Sequence, residues 1–400
     1  MVYLYGVTHG GQWIDFLSGR SGEIDIIPTK EMIEDLSRFP KGTKIGLEAL
    51  SKKDWGDVNL DLFMRPFDPP EPRFEDDKIA MRPYYEDNNQ AYWKNLEEIC
   101  LNFGFEVVFL ENKNIWLRYN ESVIKMVENE ATRRNLLCKE EGESDEDYAR
   151  KLIRFNSERY KENILSRKIH EIERDDSLLG AIKSSKVDIS INGIAHSDYW
   201  VANSENINSR FGFSFEGYSA EVAINDLEFF RGNTLFVNNL TPDPKRVFER
   251  QCLERTVKLI ETGRISDREP RFIGTWNIHS PYNGYFEIFV DKSRNGFCGE
   301  IIDCLGDADF EGEISDKEIK FTKKYKQEKC LNRANKKEIA YRGIIRNGNV
   351  FGFYENSYFL EQFYATPGSP KNIIDLGMSW YDYERDNKPE LENLAKGFFN

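Results

Sequence analysis

A chain of 400 residues is longer than one typical hydrophobic core supports, so length alone points to two domains or more. Its formal charge of −14 argues against a nucleic-acid partner, because a phosphate-binding surface must supply local positive charge. No apolar run of about eighteen residues exists to span a bilayer, and the first residues read as a core strand rather than an export signal, so a soluble, cytoplasmic protein without a membrane partner is expected.

From residue 1 to about 264, strand-like and helix-like segments alternate, the pattern of an α/β domain with a mainly parallel sheet flanked by helices. A strand at 2–7 is followed by a helix over 29–38 and a strand over 44–50. Residues 60–85, rich in proline, aspartate and aromatics without a period, read as a surface excursion placed to act as a lid. A helix over 89–103 stops at Gly104 and hands over to a strand at 105–111. The acidic run 139–147 reads as a solvated connection. A long charged helix from about 144 to 174, strands at 187–193 and 234–238, and a helix over 244–262 complete the domain.

Beyond about residue 269, short aromatic and β-branched runs are separated by Gly, Asn and Asp. Candidate strands at 274–279, 285–290, 299–303, 309–314, 319–325, 339–345 and 350–354 predict a small antiparallel β-barrel or sandwich over 269–366. Such a barrel is either filled by side chains or holds one small ligand, and Trp276, Tyr285, Phe310, Tyr341 and Phe353 read first as core. Residues 367–400 form a polar, proline-containing tail without an assigned structure. The six cysteines include no C-x-x-C pair, which suggests reduced thiols and neither a disulfide framework nor a zinc knuckle.

Only four histidines occur, and two of them close the same pattern: Gly6-Val7-Thr8-His9 and Gly193-Ile194-Ala195-His196. Each pattern follows an apolar run, so each imidazole emerges where a buried strand passes into a loop, the edge at which parallel α/β sheets bind ligands. Glu48, after Ile45-Gly46-Leu47, and Glu111, after Val108-Phe109-Leu110, hold the same strand-end position. A carboxylate there is costly to bury unless it is paired, hydrogen-bonded or metal-bound. Histidines and carboxylates converging on one sheet edge make either a divalent-metal site or a metal-free acid–base pair, and either activates water. The structural alternatives are a helix-capping carboxylate and a histidine bonded to backbone.

The two G-x-x-H motifs, the Gly46-Leu47-Glu48 between them and an arginine upstream of the second resemble the superfamily of TraB proteins, Tiki Wnt-processing proteases, ChaN-like proteins and erythromycin esterases. Thr8-His9-Gly10 is similar to the signature of the esterase branch, and Arg167 in Ser166-Arg167-Lys168-Ile169-His170-Glu171-Ile172 to the family's arginine helix. The resemblance covers about residues 1–260 and stops short of the barrel; residues 60–145 match no substrate-binding segment of the family, and the extracellular setting of Tiki proteins is missing. It implies an α/β fold, a hydrolytic site at the strand ends and, in Tiki-type members, a divalent transition metal such as Mn, Co or Zn held by His9, Glu48 and His196. The esterase branch implies none.

On this reading His9 binds metal or acts as general base on water, with Glu48 as a second ligand or its orienting group. His196 stabilises or protonates the developing oxyanion, and Arg167 anchors a substrate anion. Ser197, Asp198 and Tyr199 line the substrate pocket, with Glu111 a reserve carboxylate. Arg167 has a competing role as a solvent-facing ion-pair partner on its charged helix, and His170 and His279 read as structural. A serine nucleophile is excluded, since no Gly-x-Ser-x-Gly elbow occurs and Ser18-Gly19-Arg20-Ser21-Gly22 does not follow a strand. The expected function is a hydrolase acting on an ester, amide or related acyl bond of a small molecule or peptide. The rival is a non-enzymatic protein holding a haem-like cofactor or a partner through this site or the barrel. Exposed strand edges of the barrel would offer a route to a homo-oligomer.

Overall fold

The computed structural model describes residues 1–7, 12–15, 20–23, 28–56, 87–119, 121–122, 139–223, 234–293, 296–326, 338–355, 360–368 and 373–397. His9 and the excursion 60–85 lie outside the described residues. The chain divides into two compact units, one of Met1–Asn135 with Ile169–Val247, the other of Leu136–Lys168 with Phe248–Asn400. This division differs from the boundary expected near 264, because the charged helix Asp145–Lys168 and most of the helix Pro244–Thr262 group with the barrel.

In the first unit β1 (Val2–Val7) is followed by a two-stranded antiparallel pair, β2 (Gln12–Asp15) and β3 (Arg20–Glu23). With β4 (Lys44–Leu47), β5 (Glu106–Phe109), β6 (Ile189–Gly193), β7 (Phe215–Ala223) and β8 (Thr234–Val237), β1 builds a six-stranded sheet of order β5-β4-β6-β1-β7-β8. All neighbours are parallel except β7 and β8. β7, longer than its neighbours, is the strand that periodicity did not reveal; its run Phe215-Glu216-Gly217-Tyr218-Ser219 carries too much polarity to read as a buried strand.

The sheet is covered on both faces, so that even Ser190 and Asn192, which alternate with the isoleucines of β6, are fully buried. Tyr5, Val7, Ile45 and Leu47 pack on Met32, Leu36 and Leu96 from the helices Lys30–Leu36 and Asp87–Asn102. Val2 and Leu4 pack instead with Leu178, Leu179, Ile182 and Trp200 from the helices Arg174–Ser185 and Ile194–Ala202. Successive residues of β1 thus serve opposite cores. Helix ends follow the sequence signals: Thr29 caps the first helix by accepting from the Met32 N–H at 3.3 Å, and Gly104 takes the left-handed conformation, φ 77°, that stops Asp87–Asn102.

The second unit is built on a closed antiparallel barrel: β9 (Phe272–Thr275), β10 (Tyr285–Val290), β11 (Phe297–Asp303), β12 (Gly306–Ile314), β13 (Glu318–Tyr325), β14 (Glu338–Arg346), β15 (Asn349–Glu355) and β16 (Leu360–Pro367). Each strand pairs with the next, and β16 returns to β9. The eighth strand, β16, lies beyond the last strand expected from the sequence, 350–354, and its pairing with β9 removes the free edges through which self-association was expected. The tail is a helix, Ile373–Lys396, whose Leu376 and Trp380 pack with Phe351 and Tyr364 of the barrel. Among the described residues no helix is long and apolar enough to cross a membrane, and Cys100, Cys252, Cys298 and Cys304 are free.

Candidate functional site

Parallel strands in the order β5, β4, β6, β1 deliver their following residues to one edge of the sheet. Glu111 stands two residues beyond β5, Glu48 directly after β4, and His196 in the first turn of the helix that follows β6. β1 pairs with β6 through Gly6↔Asn192 and Val7↔Gly193, so the glycines that open the two G-x-x-H patterns lie on neighbouring strands, one residue out of step. His9 itself lies outside the described residues.

Glu48 is held from several directions. Its backbone N–H donates to the Ile191 carbonyl at 3.0 Å, extending the β4–β6 ladder by one residue. Its Oε2 accepts the Gly193 N–H at 2.6 Å, which sets a negative charge at the N-terminus of Ile194–Ala202, where the helix dipole favours it. The capping role expected of such a carboxylate is therefore real, but it serves the helix of the neighbouring strand. The remaining oxygen, Oε1, lies 2.7 Å from Arg174 Nη2 and 3.6 Å from His196 Nε2.

Arg174 joins the two carboxylates: its Nε donates to Glu111 Oε1 at 2.7 Å, its Nη2 donates to the same oxygen, and its guanidinium sits 5.5 Å from the Tyr119 ring centroid. Asp175, the next residue, bonds through Oδ1 to His196 Nδ1. Both residues open the helix Arg174–Ser185, directly after a π-helical stretch, Ile169–Glu173; such stretches recur at functional sites. Their buried placement follows from helical spacing. Arg174 precedes Leu178 and Ile182 by four and eight residues, and Asp175 precedes Leu178, Leu179 and Ile182 by three, four and seven.

The cluster thus joins three carboxylates, Glu48, Glu111 and Asp175, to an arginine and a histidine, with side chains exposed by 10% at Arg174 and His196 and by 1–4% at the others. Burial works against the charge on Arg174, but Glu111 and Glu48 overcome it and raise its pKa. Burial likewise works against imidazolium at His196, and the charges of Glu48 and Asp175 outweigh it, so its pKa rises. For Glu111 burial dominates and raises the carboxyl pKa against the pull of Arg174. A raised histidine fixed through Nδ1 by a carboxylate is a proton donor at Nε2.

Of the residues that sequence placed in the site, Glu48, His196 and Glu111 come together here. Arg167 belongs to the second unit, and the arginine that binds the carboxylates is Arg174. Ser197 Oγ donates to the Gly193 carbonyl at 3.3 Å, within its own helix. Asp198, fully buried, accepts from Tyr218 Oη at 2.9 Å and Arg246 Nη1 at 2.6 Å. Tyr199 packs against the apolar cluster around Leu178 and Trp200. Arg174 and Asp175 escaped the sequence reading, although charges in register with a Leu-Leu-Ile stripe were a signal of burial.

Among the described residues no group of three or more His, Cys, Asp or Glu side chains could hold a metal ion. Glu48 and His196 alone do not fit one, since the Gly193 N–H and the Arg174 guanidinium already occupy the Glu48 oxygens. Nor does His196 suit an axial haem ligand, with Nδ1 bonded to Asp175 and Nε2 facing Glu48.

Fold and cluster define a class: a mainly parallel α/β sheet with a buried ion network at its carboxyl edge, in a chain that also forms a closed β-barrel. No protein-family model, curated protein or solved structure matches the chain.

Proposed function

We propose that the strand-end cluster hydrolyses an ester, amide or related acyl bond without metal. The observation that carries this reading is the chain of contacts Asp175–His196–Glu48–Arg174 at the sheet edge. Asp175 fixes the imidazole and favours its charged form, so Nε2–H is set to donate a hydrogen bond to a developing oxyanion or a proton to the leaving group. Arg174 adds fixed positive charge for the same transition state. A histidine whose charged form is favoured is poorly suited to take the proton of the attacking water as well, and Glu48 is a weakened base because the Gly193 N–H holds one of its oxygens and the Arg174 charge faces the other. The base role falls to His9, the histidine of the paired motif, in keeping with the resemblance to erythromycin esterases.

Purified protein would be assayed against p-nitrophenyl esters of graded acyl length, beside His9→Ala, His196→Gln and Asp175→Asn, with circular dichroism as a folding control. Removing an acid–base group should lower kcat/KM by about a hundredfold or more, with wild-type activity retained after chelator treatment. Wild-type rates in folded His196→Gln and Asp175→Asn would overturn the reading.

A further inference from the structure

The interior of the barrel changes character along its axis. On β13 the buried positions are Ile319, Phe321, Lys323 and Tyr325, apolar at one end and polar at the other. The apolar end is packed by Phe297, Phe310, Phe321 and Phe363. At the polar end lies a cavity of about 620 Å³ whose lining includes Trp276, Lys323, Tyr341, Tyr354, Glu361 and Trp380, within the range of roughly 300–1,000 Å³ typical of small-molecule sites.

Chemistry at this end selects among ligands. Lys323 is 1% exposed and already neutralised: its Nζ bonds to Asp303 and donates to Tyr325 Oη at 2.8 Å, while Trp276 faces it at 5.1 Å. Its charge is spent inside the wall. Glu361, half-buried on β16, accepts from the hydroxyl of its cross-strand partner Tyr354, and among the described residues no basic side chain pairs with it. Its carboxylate is therefore the unmatched charge of the lining. Tyr341 stacks between Phe321 and Tyr354, at 4.6 and 5.3 Å, which holds a row of rings across β13, β14 and β15. Electron-rich ring faces beside a carboxylate attract organic cations.

We propose that the barrel mouth binds one small organic amine, with its aromatic or alkyl body against Trp276, Tyr341 and Tyr354 and its ammonium group at Glu361. The proposal rests on the second unit alone and stands whether or not the strand-end cluster is hydrolytic.

The test is calorimetric titration of the full-length protein with phenethylamine, benzyltrimethylammonium, 3-phenylpropanoate and 3-phenylpropanol, followed in parallel by tryptophan fluorescence. Saturable one-to-one binding of a cation, with the carboxylate left unbound, is expected. Glu361→Gln, which keeps the shape and the acceptor for Tyr354, should weaken the cation about tenfold or more, the loss of a charge-assisted contact. Leu305→Phe, which narrows the cavity, should weaken the cation and the alcohol together. Absence of saturable binding by either cation, preference for the carboxylate, or unchanged affinity in folded Glu361→Gln would each overturn the proposal.

Discussion

In the first unit Arg174 is shared by two carboxylates, Glu48 and Glu111, that arrive from different strand ends, and a third, Asp175, claims His196. In the second unit Lys323 meets one carboxylate, Asp303, and a tyrosine hydroxyl closes the triangle, Tyr325 Oη donating to Asp303 Oδ2 at 2.8 Å. The first arrangement carries more negative than positive groups and keeps Arg174 and His196 accessible over 10% of their side chains. The second is balanced and sealed, with 1% and 0% exposure. An unbalanced buried cluster is costly unless something besides stability retains it. A balanced one serves as a wall, and the barrel's candidate binding chemistry accordingly sits beside it, at Glu361.

The largest effect that would sharpen this contrast is expected at Arg174. Arg174→Met removes the cation that Glu48 and Glu111 share, and breaking a buried pair from one side costs about 3–5 kcal/mol. Urea unfolding read by hydrogen exchange in β4 and β6 should show the loss there and not in the barrel. Adding Glu111→Gln should restore only part of it, because Glu48 stays charged. A fully restored double variant would mean that the cluster is balanced after all.

Lys323→Met should cost somewhat less, about 3 kcal/mol. Asp303 keeps the Tyr325 hydroxyl and the Leu305 and Gly306 N–H groups, at 2.7 and 3.0 Å, as partners. Here the double variant Lys323→Met/Asp303→Asn should recover most of the stability, since the asparagine oxygen still accepts from the turn. Failure to recover, with exchange measured in β11 and β13, would erase the difference drawn between the two units.

The third difference is in pH response. His196 has a folded pKa above its ordinary value of 6.5, so its contribution to stability is fully present below that value and is lost as pH rises through the folded pKa. Melting profiles of the first unit should therefore lose stability as pH rises beyond 6.5 in wild type, and His196→Gln should flatten that slope. An identical slope in both would place the histidine's charge outside the cluster's energetics.

Much of this was legible in the sequence because buried strands announce themselves. The strand-end positions of Glu48, Glu111 and His196 follow directly from apolar runs that end at Leu47, Leu110 and Gly193. Arg167 drew attention through its resemblance to a family motif, whereas Arg174 and Asp175 looked like two more charges on a charged helix. What separates them is the π-helical stretch after Lys168, which resets the helical register and turns the next residues inward. A period carried forward from the charged helix misses such a reset, which is signalled only by the Leu178-Leu179-Ile182 stripe downstream. β7 and β16 were hidden for a different reason: each carries polar residues that tertiary partners satisfy, Ser219 by Tyr3 at 3.0 Å and Gln362 by Trp380 at 3.2 Å.

The smallest expected effect tests the comparison most sharply, because it sits one residue from a large one. Lys323 and Lys324 are neighbours on β13, and strand alternation sends one into the barrel and the other to solvent. Lys324 pairs with Glu338 at 3.5 Å, but the two side chains are 55% and 62% exposed. Such a pair gains little in water and loses side-chain freedom, so Lys324→Ala should change stability by no more than about 0.5 kcal/mol, and less at high salt. If Lys324→Ala proved as damaging as Lys323→Met, the inward and outward faces of β13 would be wrongly assigned, and with them the cavity wall on which Lys323 is spent.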